Sequence, residues 1–173
     1  MRQPFRTQDF SGRRMAGLSP GVFAGSLIVA FILTILPLPE WAAPYRPYWT
    51  ALVMIYWCLS FPGQIGVLAS WLVGLLVDVL TGSPLGLHGL GLAIISYITL
   101  ILHRRARLWP LWQQAFVVTA LLLNDRVIAL WIRGLIGQNT GGWEYWASPV
   151  VSGLLWPWVH SMLNALQTRS RRS

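Results

Sequence analysis

Gly74-Leu-Leu-Val-Asp-Val-Leu-Thr-Gly-Ser-Pro-Leu-Gly-Leu-His-Gly-Leu-Gly91 sets one carboxylate, Asp78, inside an apolar run and follows it with closely spaced glycines. Gly82 suits the left-handed conformation just past a helix end. Ser83 is placed to cap a second helix, and Pro84 suits that helix's first turn, where a missing N–H matters least. The stretch therefore predicts helix, tight turn, helix. Gly74 and Asp78 are four apart and share a face of the first helix, which extends back through Trp71 and Val67. A glycine beside an acid on one face lets another backbone approach that acid, and a carboxylate within an apolar span needs a specific partner.

The rest of the chain is built from similar material. Of its 173 residues, 55% are hydrophobic and 10% charged, with a mean hydropathy of +0.55. A soluble domain carries roughly 25% charged residues. The apolar residues come in long, nearly uncharged blocks, as in helices that cross a bilayer. Six are predicted: from about Pro20 to Leu36, Tyr48 to Phe61, Ile65 to Thr81, Pro84 to Leu102, Leu111 to Ile132 and Ala147 to Leu166. The second is short, and extending it back to Pro47 makes it just sufficient to cross. The expected organisation is a basic tail over residues 1–19, a six-helix transmembrane domain over 20–167 and a basic tail over 168–173. The N-terminus has a signal peptide's charge. Its apolar region is long, and Trp41-Ala42-Ala43 offers no small residue three before a cut, so it reads as an uncleaved span.

All 13 basic residues are arginine. Arg2, Arg6, Arg13, Arg14, Arg104, Arg105, Arg107, Arg169, Arg171 and Arg172 fall in the two tails and the connection after the fourth block, which six spans place on one side. Arg46 and Arg133 flank the other side, and Arg126 lies within a span. The positive-inside bias then puts both termini in the cytoplasm. No aromatic–basic platform accompanies the charge, so nucleic acid is not an expected partner.

Five residues are acidic: Asp9, Glu40, Asp78, Asp125 and Glu144. Asp78 lies about 4–5 Å from its turn, near the outer interface, at the unfavourable negative end of its own helix dipole. It is expected to be protonated, or paired with the first backbone N–H groups of the next helix, with His88 or with an arginine. A brace for the hairpin, a proton- or ligand-binding group and a partner contact all remain open roles. Asp125 and Arg126 are adjacent and point to different faces, so each needs a partner on another helix; Asp78 with Arg126 is the pair singled out. Arg126 and Arg133, seven apart, share a face.

Catalytic and cofactor chemistry finds no residue set. His88, His103 and His160 have no metal-ligand spacing, and the lone Cys58 adds none. Ser60, Ser70 and Ser83 lack a histidine and acid arranged for nucleophilic attack. Gly86, Gly89 and Gly91 follow no strand and precede no lysine, so they read as close helix-packing positions, as do Gly74 and Gly82. Trp156-Pro157-Trp158 predicts a kink in the last span, flanked by two large rings.

Several segments together resemble one family. Gly-Leu-Leu-x-Asp-x-x-x-Gly-x-x-x-Gly over residues 74–86 and Gly89-Leu-Gly-Leu-Ala-Ile-Ile-Ser-Tyr97 look like the rod shape-determining protein MreD family. So do Leu111-Trp-Gln-Gln-Ala115 after a basic loop, the acid at Asp125 and Leu154-Leu-Trp-Pro-Trp158. The likeness covers about residues 20–167, and Arg126 departs from the pattern. It implies a non-catalytic membrane scaffold without a cofactor, in the inner membrane of a rod-shaped bacterium, supporting lateral peptidoglycan synthesis. The implied partners are MreC, MreB, RodA with its transpeptidase partner, and membrane lipid. It also implies a fold similar to the S components of energy-coupling factor transporters, which makes a small-molecule-binding transport subunit the rival reading. The residues that would carry structure or partner binding are Gly74, Asp78, Gly82, Pro84, Gly86, Gly89, Asp125, Arg126, Trp156 and Pro157.

Overall fold

A computed structural model describes residues 19–39, 41–137 and 142–170, with only the backbone of Trp143 and Glu144. Both tails apart from Ser19 and residues 168–170, the connection 138–141 and Glu40 lie outside the described residues, and with them the expectations for Asp9 and six of the clustered arginines. Among the described residues six α-helices make up the fold: α1 (Pro20–Ile35), α2 (Trp49–Ser60), α3 (Val67–Thr81), α4 (Leu87–Ala106), α5 (Leu111–Leu135) and α6 (Ala147–Ser170). Short 3-10 turns at Ala43–Tyr45 and Trp143–Trp146 precede α2 and α6.

The bundle is apolar outside and partly polar within. On α6, Val150, Leu154, Trp158, Met162 and Leu166 recur every fourth residue and are all exposed. Leu72, Leu76 and Leu80 do the same on α3, while Ser70, Ser96, Thr99, Gln114 and Ser152 are buried. Water would not favour that distribution; lipid does. By length and composition, α4 and α5 are apolar enough to cross a membrane. Helices α1 and α3 are apolar but shorter, at 16 and 15 residues.

At the centre stands α2, in which every residue from Thr50 to Leu59 is buried. It packs against α1, α4 and α6. Trp57 anchors it, donating from Nε1 to Ser26 Oγ at 2.9 Å and meeting Phe23 edge-on at 5.6 Å. The helix is 12 residues long, or about 18 Å, against roughly 30 Å of hydrocarbon. The extension to Pro47 expected from sequence is not helical. Its place is taken by irregular backbone held within the protein, where Tyr48 N–H donates to Ser152 Oγ at 2.9 Å. Enclosure by other helices makes this possible, because backbone away from lipid finds partners in side chains.

Arginines finish two helices. Arg46 donates to the carbonyls of Thr34 and Leu36 at the end of α1. Arg107 donates to those of Leu59 and Ser60 at the end of α2. Each supplies positive charge and donors to carbonyls that lack a partner within their own helix. Ser19 Oγ meets Ser170 Oγ at 2.8 Å, bringing the start of α1 beside the end of α6. This end of the bundle is here called the terminal end; the turn between α3 and α4 marks the hairpin end.

Candidate functional site

The turn between α3 and α4 is organised by Asp78. Gly82, with φ +64°, ends α3, and Ser83 N–H reaches back to Asp78 O at 3.1 Å, the six-to-one bond of a Schellman turn. The helix α4 begins at Leu87 rather than at Pro84, and Ser83 does not cap it. Ser83 instead donates to Asp78 Oδ1 at 2.7 Å. Pro84 lies within the turn, and its carbonyl accepts from Leu87 N–H at 3.1 Å. The capping role falls to the Asp78 side chain, which comes from the preceding helix.

The carboxylate receives three N–H groups from the start of α4. Gly86 N–H donates to Oδ2 at 2.8 Å, His88 N–H to Oδ1 at 3.0 Å and Gly89 N–H to Oδ2 at 3.3 Å. His88 Nδ1 lies 2.7 Å from Oδ1. With three N–H groups and a hydroxyl already directed at the carboxylate, the ring proton belongs on that nitrogen. Five donors and no acceptor converge on two oxygens, an arrangement suited to the ionised acid. The Asp78 side chain is fully shielded from solvent. The unfavourable carbonyl end of α3 is offset by the favourable N–H end of α4. Thus Asp78 closes one helix with its backbone and opens the next with its side chain.

The glycines fall into two physical groups. Gly74 and Gly89 let α3 and α4 touch through their backbones: a methyl on Gly74 would sit 2.5 Å from both Gly89 Cα and His88 O. Gly82 and Gly86 have open space around them but positive φ, +64° and +94°. In Gly86 that conformation belongs to the residue whose N–H reaches Asp78. Gly91 forms a third close approach, since a Cβ there would collide with Asp125 Oδ1 of α5.

Asp78 and Arg126, the pair singled out from sequence, do not meet: the acid is fully occupied within its own hairpin. Arg126 Nη2 donates to Ser148 Oγ at 3.0 Å, and its guanidinium stands 4.7 Å from the Tyr145 ring centre. Ser148 Oγ in turn donates to Arg46 O at 2.7 Å. Asp125 is buried against Gly91, with no hydrogen bond to its carboxylate among the described residues. Trp156 is wholly buried and donates from Nε1 to Gln114 Oε1 at 3.3 Å. The helix α6 runs on through Pro157.

Beside the cradle, the hairpin end of the bundle holds a partly open cavity of about 510 Å³. Arg46, Arg126, Arg133, Tyr48, Tyr145 and His88 are among its lining residues. Sequence reasoning placed Arg126 and Arg133 on one face and Arg46 on the same side of the membrane, but not around a common space. Their separation in the chain hides that convergence.

A family model for the rod shape-determining protein MreD matches residues 18–166. The chain is 30% identical over 142 residues to the rod shape-determining protein MreD of Haemophilus influenzae, covering 82% of this chain and 88% of that one. No solved structure matches, and a likeness to transporter S components is not shown.

Proposed function

The chain belongs to the MreD family of rod shape-determining proteins, and on that premise we propose that it is a non-catalytic membrane scaffold of the bacterial elongation complex. Its work is to hold a rigid helical surface in the inner membrane for other membrane-embedded proteins. Asp78 carries this reading. All five of its side-chain contacts are made within the hairpin, so the acid fixes two helices in register. The outward surface of those helices is apolar, and in lipid such a surface associates through close packing and a few polar contacts. MreC is the direct partner, with MreB, RodA and its transpeptidase in the same assembly. The protein is multi-pass with both termini cytoplasmic. The arginine distribution supports that orientation, and the meeting of Ser19 with Ser170 supports termini on one side.

Co-purification from membranes tests the proposal. MreC is expected to remain with the chain after detergent extraction. Leucine-to-tryptophan changes along α3, at Leu72 and Leu76, or alanine changes along α6, at Leu154 and Trp158, are expected to release it from a chain still present at normal levels. Retention of MreC by all of these variants would move the interface elsewhere. The cavity at the hairpin end favours a second reading, a small-molecule-binding subunit of a transporter. Saturable solute uptake that depends on this chain, together with the absence of co-purifying MreC, would select it.

A further inference from the structure

We propose that the cavity at the hairpin end is a binding site for a phosphate group carried on a larger moiety. Three arginines line it, and no aspartate or glutamate is among its described lining residues. The ion pair found among the described residues is His88 with Asp78, so no described carboxylate lies within ion-pair distance of Arg46, Arg126 or Arg133, although Asp125 is near enough to feel the charge of Arg126.

Two guanidinium groups approach the same ring, Arg126 at 4.7 Å and Arg133 at 5.9 Å from the Tyr145 centre. Like charges gathered around one aromatic ring call for a counter-ion. The donors are also incompletely used. Arg46 Nε, Arg133 Nε and Tyr48 Oη are buried without a hydrogen-bond partner among the described residues. Unmade hydrogen bonds of this kind are costly at buried atoms.

Ser83 and Ser148 also line the space, but their hydroxyl protons are committed to Asp78 Oδ1 and Arg46 O. Planar guanidinium forks and the uncommitted Tyr48 hydroxyl are donors that phosphate oxygens accept from. Three cations also match the multiple charge of a phosphate ester better than a single carboxylate. The space of about 510 Å³ lies within the roughly 300–1,000 Å³ of small-molecule pockets. It has room for the group that bears the phosphate. A second cavity of about 510 Å³ at the terminal end has Arg107 as its one described lining arginine, whereas at the hairpin end Arg126 and Arg133 join Arg46, which like Arg107 is engaged with helix-end carbonyls.

The phosphate has two possible sources, a lipid head group and a soluble ester, which share this chemistry and are separated by experiment. The full-length chain is purified in neutral detergent, so any counter-charge supplied by Glu40 and Glu144 is already present. One arm titrates inorganic pyrophosphate and glycerol 3-phosphate by calorimetry. The other reconstitutes the chain in nanodiscs of phosphatidylglycerol or phosphatidylcholine and measures retained lipid by native mass spectrometry. Saturable binding in the first arm assigns a soluble ester; selective retention of phosphatidylglycerol in the second assigns a head group.

In whichever arm responds, R126Q and R133Q are each expected to weaken binding about 10- to 100-fold, the loss of one charged hydrogen-bonding partner. R133K keeps the charge but loses the fork, so its loss should be intermediate. R104Q, remote from the cavity, should bind as wild type. Thermal unfolding checks each variant; if the glutamine variants do not fold, R133K and the wild-type arms decide. No binding in either arm overturns the proposal. So does binding that R126Q, R133Q and R133K leave unchanged.

Discussion

Replacing Asp78 tests the brace most directly. In Asp78→Asn one oxygen is kept and the other becomes an NH2 group, which cannot accept a hydrogen bond. The amide is best placed with its oxygen toward Ser83 and His88, where three donors meet Oδ1. Its NH2 then faces Gly86 N–H and Gly89 N–H, which lose their acceptor. An unsatisfied buried donor costs about 1–3 kcal/mol, so Asn should destabilise the fold by about 2–6 kcal/mol. In Asp78→Leu, His88 N–H loses its acceptor as well, raising the cost to about 3–9 kcal/mol from the backbone alone. Either figure is large beside a total stability of about 5–15 kcal/mol. Thermal unfolding in detergent, the level of protein in the membrane and complementation of cell shape should all rank wild type above Asn and Asn above Leu. Because Asp78 and Arg126 make no ion pair, the exchange Asp78→Arg with Arg126→Asp should not restore function. A Leu variant as stable as wild type, or rescue by that exchange, would refute the reasoning.

Other consequences follow from the same geometry. Gly74→Ala should lower stability by about 1–3 kcal/mol through overpacking, because the new methyl meets the backbone of α4; Gly63→Ala, with open space around it, should be neutral when their membrane levels and melting temperatures are compared. Gly86→Ala has room for its methyl but must hold φ near +94°, so a loss of about 1–2 kcal/mol is expected, again read by thermal unfolding. Arg107→Ala removes two donors from the end of α2 and should cost about 1–3 kcal/mol, a loss that Arg107→Lys only partly recovers. A reporter fused after Ser173 should be active only in its cytoplasmic form, and periplasmic activity there would reverse the proposed orientation.

What the sequence by itself determined follows from rules that act over a few neighbouring residues or on the medium around them. Apolar blocks separated by Pro37, Pro62, Gly82, Pro110 and the polar stretch from Gln138 to Gly142 predict six helices because helix breaking and chain length are local properties. The turn at Gly82 and the proximity of Gly74 to another backbone were readable for the same reason, one from conformation and the other from spacing. The partners of charged residues were not. Asp78 had backbone N–H groups, His88 and an arginine as candidates, and only the path of the turn through Gly82 and Gly86 brings the first two to it. That path also moves the start of α4 from Pro84 to Leu87, since the acid of α3 supplies the cap expected from Ser83. The apolar composition of α2 suggested a crossing, but its central position, which permits a short helix with irregular ends, depends on the helices surrounding it. The gathering of Arg46, Arg126 and Arg133 around one cavity depends on three separate elements. Hydrogen bonds and charge interactions act through space, and the distances that decide them exist only after the helices have packed.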